Sequence, residues 1–180
     1  MEDRRIKKTK QAIQISFAKL LSEKSMDNIT VKSLCEAADI NKSTFYLHYK
    51  DIYDCADHLR DTIVDEFSKV IAPYSFEDII KDFAVILENI MNMFDRNKDL
   101  YMPFLKSPSL AFSSCKMKQL MIEKILERAD IKDRNSGIYR CTVSFVISGI
   151  ISLLEQHEFA EIDRQTISTL AYKVQNGFVC

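Results

Sequence analysis

Lys42, Ser43, Thr44, Tyr46 and His48 lie within seven residues and offer a cation, two short hydroxyls, a phenol and an imidazole. Such side chains suit the base edges and phosphate oxygens of a DNA groove. Groups for catalysis are sparse by comparison. His58 and His157 stand singly on predicted helices, and no metal-spaced cluster, nucleophile elbow, phosphate loop or dinucleotide fingerprint occurs. No enzyme activity, metal or cofactor is therefore expected. The five cysteines, at 35, 55, 115, 141 and 180, follow no paired spacing and read as reduced thiols that mostly fill a core. Cys55 and Cys141 are the candidates for redox sensing.

The hydrogen-bonding cluster needs an element to present it. Ile29 precedes a Thr30 cap and Leu34 follows four positions on, which is a hydrophobic staple at a helix start. Eleven residues later the device recurs, with Ile40, an Asn41 cap and Phe45. Two starts that close leave room for about two helical turns and a tight turn, the spacing of a helix-turn-helix. Asp39 falls where the backbone must pass through a left-handed conformation, which Asp tolerates better than most residues. With Leu34, Ala38, Ile40 and Phe45 assigned to the buried side, Lys42, Ser43, Thr44, Tyr46 and His48 point outward.

The run TVKSLCEAADINKSTFYLHYKD, from Thr30 to Asp51, resembles the DNA-binding signature of the TetR/AcrR-type transcriptional regulators. The match is densest at Ala38, Ile40, Lys42, Thr44, Tyr46, His48 and Tyr49, and extends over roughly residues 9–56. Three positions depart from the family pattern. Asp39 stands for the usual turn glycine, Cys35 for a small residue in the first helix, and Ile52 for a frequent lysine that would hold a phosphate. The resemblance implies double-stranded DNA as partner, a palindromic operator, a homodimer and a small-molecule effector. Among the residues, Lys42 and Thr44 would meet base edges. Thr30, Lys32, Ser43, Tyr46, His48 and Lys50 would complete the DNA-binding set, largely on phosphates.

Charge is consistent with this. Residues 1–50 hold 10 Lys/Arg and 6 Asp/Glu, against 15 and 20 in the remainder, so a basic module precedes an acidic body. Arg4, Arg5, Lys7, Lys8 and Lys10 crowd the front of a first helix, predicted near Arg5–Lys24, where the helix dipole disfavours cations. A DNA phosphate would reverse that penalty. No charged start followed by an apolar run and cleavage site is present, so a cytoplasmic location without export is expected. The most apolar run, Cys141–Leu154, counts 14 residues and reads as too short to span a bilayer.

With 3 Gly and 3 Pro in 180 residues, long uninterrupted helices are expected. The predicted fold is all-α, about nine helices, with a three-helix helix-turn-helix domain at 1–50 and a larger helical effector-binding and dimerisation domain at 51–180. Asp51 and Asp54 mark the start of a helix that continues to about Val70. Ser75 caps another that runs to Arg96, Asp99–Lys106 reads as a turn or brief helix, and a further helix starts at Ser107-Pro108-Ser109. Ser136–Gln156 is taken as helical despite its β-branched content, because it is too long for a strand. The last helix, Asp163–Asn176, is assigned an Asp163 cap and a Gly177 stop.

Met and Phe are dense in the middle of the chain. Phe83, Met91, Phe94, Tyr101, Phe104, Phe112, Met117 and Met121 are the candidates for an adaptable effector pocket. Ser144, Ser148 and Ser152 recur every fourth residue beside Gly149, a ridge that lets another helix approach closely. With Ile167, Leu170, Ala171 and Val174 it predicts a four-helix dimer interface. Taken together, these features describe a TetR-type one-component regulator, a repressor released by an effector. A co-activator of the same fold would show a protein-docking surface in place of a closed pocket. An all-helical enzyme with a chance helix-turn-helix would show turnover without DNA affinity.

Overall fold

The computed structural model describes residues 4–129, 137–156 and 164–178. Every regular element among them is helical. Ten α-helices follow in order: α1 Arg4–Glu23, α2 Val31–Ala37, α3 Lys42–Tyr46, α4 Ile52–Ile71, α5 Phe76–Lys81, α6 Phe83–Arg96, α7 Lys98–Lys106, α8 Ala111–Leu126, α9 Gly137–Gln156 and α10 Arg164–Phe178. Short 3₁₀ turns at Met26–Asn28 and Pro108–Leu110 separate α1 from α2 and α7 from α8. The all-α expectation holds.

The count of about nine rises to ten because the helix expected from Ser75 to Arg96 is two helices. Ser75 caps α5 as expected, its hydroxyl accepting from the Asp78 N–H while Asp78 reaches back to the Ser75 N–H. The Ser75 hydroxyl also donates to the Asp78 carboxylate at 2.7 Å, and that bond, with the one from the Ser75 N–H, holds the Asp78 carboxyl below the usual carboxylate range. Asp82 then leaves helical geometry, at φ −104° and ψ 29°, and α6 restarts at Phe83. Aspartate competes poorly inside a helix because its side chain offers the backbone other partners. The Asp99–Lys106 segment, by contrast, is a helix with Pro103 inside it. Tyr101, Phe104 and Leu105 are buried on it, and α7 packs along α1; that burial offsets the ladder bond the proline removes. The expected Ser136 start and Asp163 cap lie outside the described residues. Gly177 does not end the last helix, which runs through to Phe178.

The chain forms two compact units, Met1–Thr62 with Asn97–Cys115, and Ile63–Arg96 with Lys116–Cys180. In the first, Ile13, Phe17, Ala18, Leu20 and Leu21 of α1 bury one stripe, as their 3.6-residue spacing requires. Ser16 donates to the Ala37 carbonyl at 3.1 Å, satisfying an end of α2 that has no partner within its own helix. Arg60 on α4 is buried, and its guanidinium meets the carboxylates of Asp57 and Asp61. Ser113 donates to Asp57 at 3.1 Å, so a buried cation is paired and its partner in turn held. In the second unit α6 packs on α10 and α5 on α6. Phe76 meets Tyr139 edge-to-face with ring centroids 5.3 Å apart.

Asp39 has φ 51°, the left-handed conformation read from its position between α2 and α3. A β-branched side chain is strained there, by about 1–2 kcal/mol. Asp39→Val is expected to lower the thermal midpoint by several degrees, whereas Asp39→Gly holds or raises it. Circular dichroism melts of the two variants check this.

Candidate nucleic-acid interface

The helix-turn-helix is built as its caps direct. Thr30 accepts from the Ser33 N–H at 3.1 Å, and Ser33 accepts from the Thr30 N–H at 3.0 Å, closing a reciprocal box on α2. Asn41 caps α3: its Oδ1 accepts from the Thr44 N–H at 2.7 Å. The Ser43 and Thr44 hydroxyls also donate to that oxygen, at 2.6 and 2.8 Å. One carbonyl oxygen with two lone pairs thus faces three donors. Either hydroxyl can turn to a phosphate or base acceptor while the backbone cap stays intact.

Behind this face sits the anchor. Phe45 is fully buried and Tyr49 nearly so, with their rings 5.6 Å apart. Tyr49 in turn meets His58 of α4 edge-to-face at 5.2 Å. The start of α4 is closed by two carboxylates: Asp51 accepts from the Asp54 N–H at 2.8 Å, and Asp54 from the Lys50 N–H at 2.9 Å. Carboxylates suit a helix N-terminus, as the sequence pattern there implied.

The outward residues sort by exposure. Lys42, Ser43, Lys50, Thr30 and Lys32 are exposed, Thr44 and His48 half-buried, and Tyr46 is 57% exposed. Lys32 lies 3.9 Å from Glu36, but both are so exposed that the pair contributes little and leaves the amine available to a phosphate. Arg4, Arg5, Lys7 and Lys8 are exposed on the front of α1. Ile52 is buried and presents no group to a phosphate. One residue escaped the sequence reading. Leu47 closes α3 and is 80% exposed, an apolar side chain beside Tyr46 on the same surface. Its place in the gap left by inward Phe45 and Tyr49 could have flagged it.

Met91, Phe94, Met117 and Met121 are buried packing residues of the second unit, and Tyr101 and Phe104 are buried in the first. Phe112 is 86% exposed. Only Phe83 of the eight lines the cavity found within the second unit, alongside Ile79, Ile86 and Ile90. On the other side stand Val143, Val146, Ile147 and Ile150 of α9.

The dimer-interface residues divide as well. Ser148 and Gly149 are exposed and Ser144 and Ser152 half-buried, while Leu170 is partly exposed. Ala171 is fully buried in its own chain, and Val174 is turned to the cavity. Ala171 thus presents no surface of its own, whereas Val174 is half-buried. The side chain of Ile167 lies outside the described set. The exposed apolar side chains missed on α9 are Ile138 and Phe145, the latter 68% exposed. The 19 residues Gly137–Glu155 are also long and apolar enough to cross a membrane, by length and composition only, which the shorter run measured in the sequence had missed.

No protein-family model matches the chain. An uncharacterized HTH-type transcriptional regulator of Bacillus subtilis, YxbF, is 28% identical over 98 residues, covering 51% of this chain. The match takes in 26% of that protein's length, so the chain spans about a quarter of it. The crystal structure of a protein from Syntrophomonas wolfei assigned to the TetR family of transcriptional regulators superposes with a TM-score of 0.69. It is 17% identical, over 96% of this chain and 97% of that one. The fold is the TetR-type all-helical fold, as the resemblance at Thr30–Asp51 implied.

Two measurements test this local anatomy. Asn41→Ala removes the cap of a five-residue helix and is expected to cost about 1 kcal/mol, lowering the melting midpoint by roughly 2–4 °C. The thiols answer separately. Cys55 is buried, and that burial, with the Asp54 carboxylate adding to it, pushes its thiol up to about 12. Burial also raises Cys35, against the opposing charge of Lys42. Because the thiolate is the nucleophile, iodoacetamide at pH 8 is expected to label exposed Cys115 and Cys141 and spare Cys35 and Cys55. Peptide mass spectrometry reads the result; labelling of Cys55 in folded protein would restore it as a sensor.

Proposed function

We propose that this chain is a one-component transcriptional regulator, a repressor that binds a palindromic operator as a homodimer and leaves it when a small molecule binds the second unit. The observation that carries this is the division of α3. Phe45 is withdrawn into the core, while Lys42, Ser43, Thr44, Tyr46 and Leu47 stand at the surface on a helix of five residues. A helix that short gains nothing structural from so polar a face, and each group on it has a use in a major groove.

In this reading Lys42 and Thr44 reach base edges, Leu47 can meet a thymine methyl, and Thr30, Lys32, Ser43, Tyr46, His48 and Lys50 hold the backbone. The cations at the front of α1 add phosphate contacts that set affinity and salt dependence. Dimerisation rests on α9, whose Ile138, Phe145, Ser148 and Gly149 form an exposed, largely apolar stripe. A second copy covering it accounts for this helix better than a bilayer does, because Arg140 is paired to Glu123 at 2.6 Å and Lys118 to Glu155 at 3.3 Å within the fold. Two recognition helices then meet successive major grooves about 34–36 Å apart. The DNA-binding division at 1–50, the effector and dimerisation division at 51–180, and a cytoplasmic location belong to the same proposal. An effector acts by favouring a body conformation whose recognition-helix separation no longer fits the operator.

Fluorescence anisotropy with the intergenic DNA beside the chain's own gene tests it. The wild type is expected to bind tightly, less so as salt rises, and the Thr44→Ala/Tyr46→Phe pair at least ten times more weakly, as loss of one to two good contacts implies. Salt-sensitive binding that ignored both DNA sequence and the variant would reduce α3 to a basic surface and sink the operator reading. Absence of binding by folded, dimeric protein would favour a co-activator working through a protein partner.

A further inference from the structure

The cavity of the second unit measures about 80 Å³. One water requires roughly 10–15 Å³ on the same measure, so the space suits a molecule of about six to eight heavy atoms. Its lining presents almost only carbon. Phe76, Ile79 and Phe83 come from α5 and α6, Val143 and Ile147 from α9, and no charged side chain is among the lining residues described. Thr142 is the one polar side chain among them.

We infer that this cavity takes a small uncharged hydrocarbon ligand. A carboxylate or ammonium entering it would lose its water and find no counter-charge. A neutral alkyl or aryl group loses nothing and gains the contacts an apolar void lacks. The side chains also keep the space open. Valine and isoleucine are stiff at χ1 and cannot swing in to fill it, as a methionine would. The consequence for DNA release rests on the regulator reading above; the binding of the ligand does not.

Thermal denaturation of the full chain, followed by circular dichroism, tests this with 1-hexanol, sodium hexanoate and hexylammonium chloride at equal concentrations. Each is compared between wild type and Val146→Phe, whose ring would occupy the cavity, so that general solvent effects cancel. Hexanol is expected to raise the wild-type midpoint over the variant's by roughly 3–6 °C once it exceeds its Kd about tenfold. The two ions are expected to give no such difference. Equal shifts from hexanoate or hexylammonium would overturn the uncharged class, and a hexanol shift equal in both proteins, or none, would overturn the site.

Ile86→Phe, which fills the same space from α6, keeps the test alive should Val146→Phe fail to fold. It is expected to remove the hexanol shift that the wild type shows; a shift as large as the wild type's would overturn the site. Operator anisotropy is a separate readout. Loss of DNA binding with an intact hexanol shift would fail the regulator reading and leave this inference standing.

Discussion

A helix of five residues cannot sustain itself in water, where isolated helices below about 12 residues are marginal even at their best. The orientation of α3 is therefore borrowed, from the Asn41 cap at one end and from the buried rings of Phe45 and Tyr49 beneath it. Tyr49 passes the constraint to His58 and so to α4, and Leu34 of α2 packs into the same buried layer. Everything outward on α3 is free to be polar because two aromatic side chains carry its attachment. The crowding of three donors on Asn41 Oδ1 makes the same point at atomic scale: the cap has more donors than it can use, and the excess faces the surface.

The second unit solves a different problem with α9. This helix is apolar nearly all round, and most such helices are buried on every side. Here Val143, Ile147, Ile150 and Leu154 face into the unit while Ile138 and Phe145 face out. One apolar face lines part of the cavity and the other is exposed. The ridge of Ser144, Ser148, Gly149 and Ser152 lies along the outward side, where small side chains allow close approach of another helix.

The placement of the pocket shows where composition misleads. Met and Phe are adaptable and large, and that adaptability is why they fill space: Met91, Met93, Phe94, Met117 and Met121 are all buried. A void survives where side chains are too stiff to relax into it, and Ile79, Ile86, Val143 and Ile147 are of that kind. Phe112, counted with the pocket on composition alone, stands almost wholly in solvent at the start of α8.

Local rules were legible in the chain by themselves. The caps at Thr30, Asn41, Asp51 and Ser75, the left-handed Asp39 and the inward turn of Leu34 and Phe45 all depend on neighbours within four residues, and such spacing is written in the sequence. The all-helical class followed from scarce Gly and Pro and from 3.6-residue stripes. What tertiary structure alone decided is which of two apolar faces turns inward. Periodicity shows that α9 and α10 have stripes to spare, but Ala171, assigned to an outer interface, is buried within its own chain, while Phe145 lies outside. Helical spacing fixes which residues share a face and leaves open what that face meets, because the partner comes from segments distant in sequence. The cavity has the same origin: its lining comes from α4, α5, α6, α8, α9 and α10, and a space between helices belongs to none of their sequences alone.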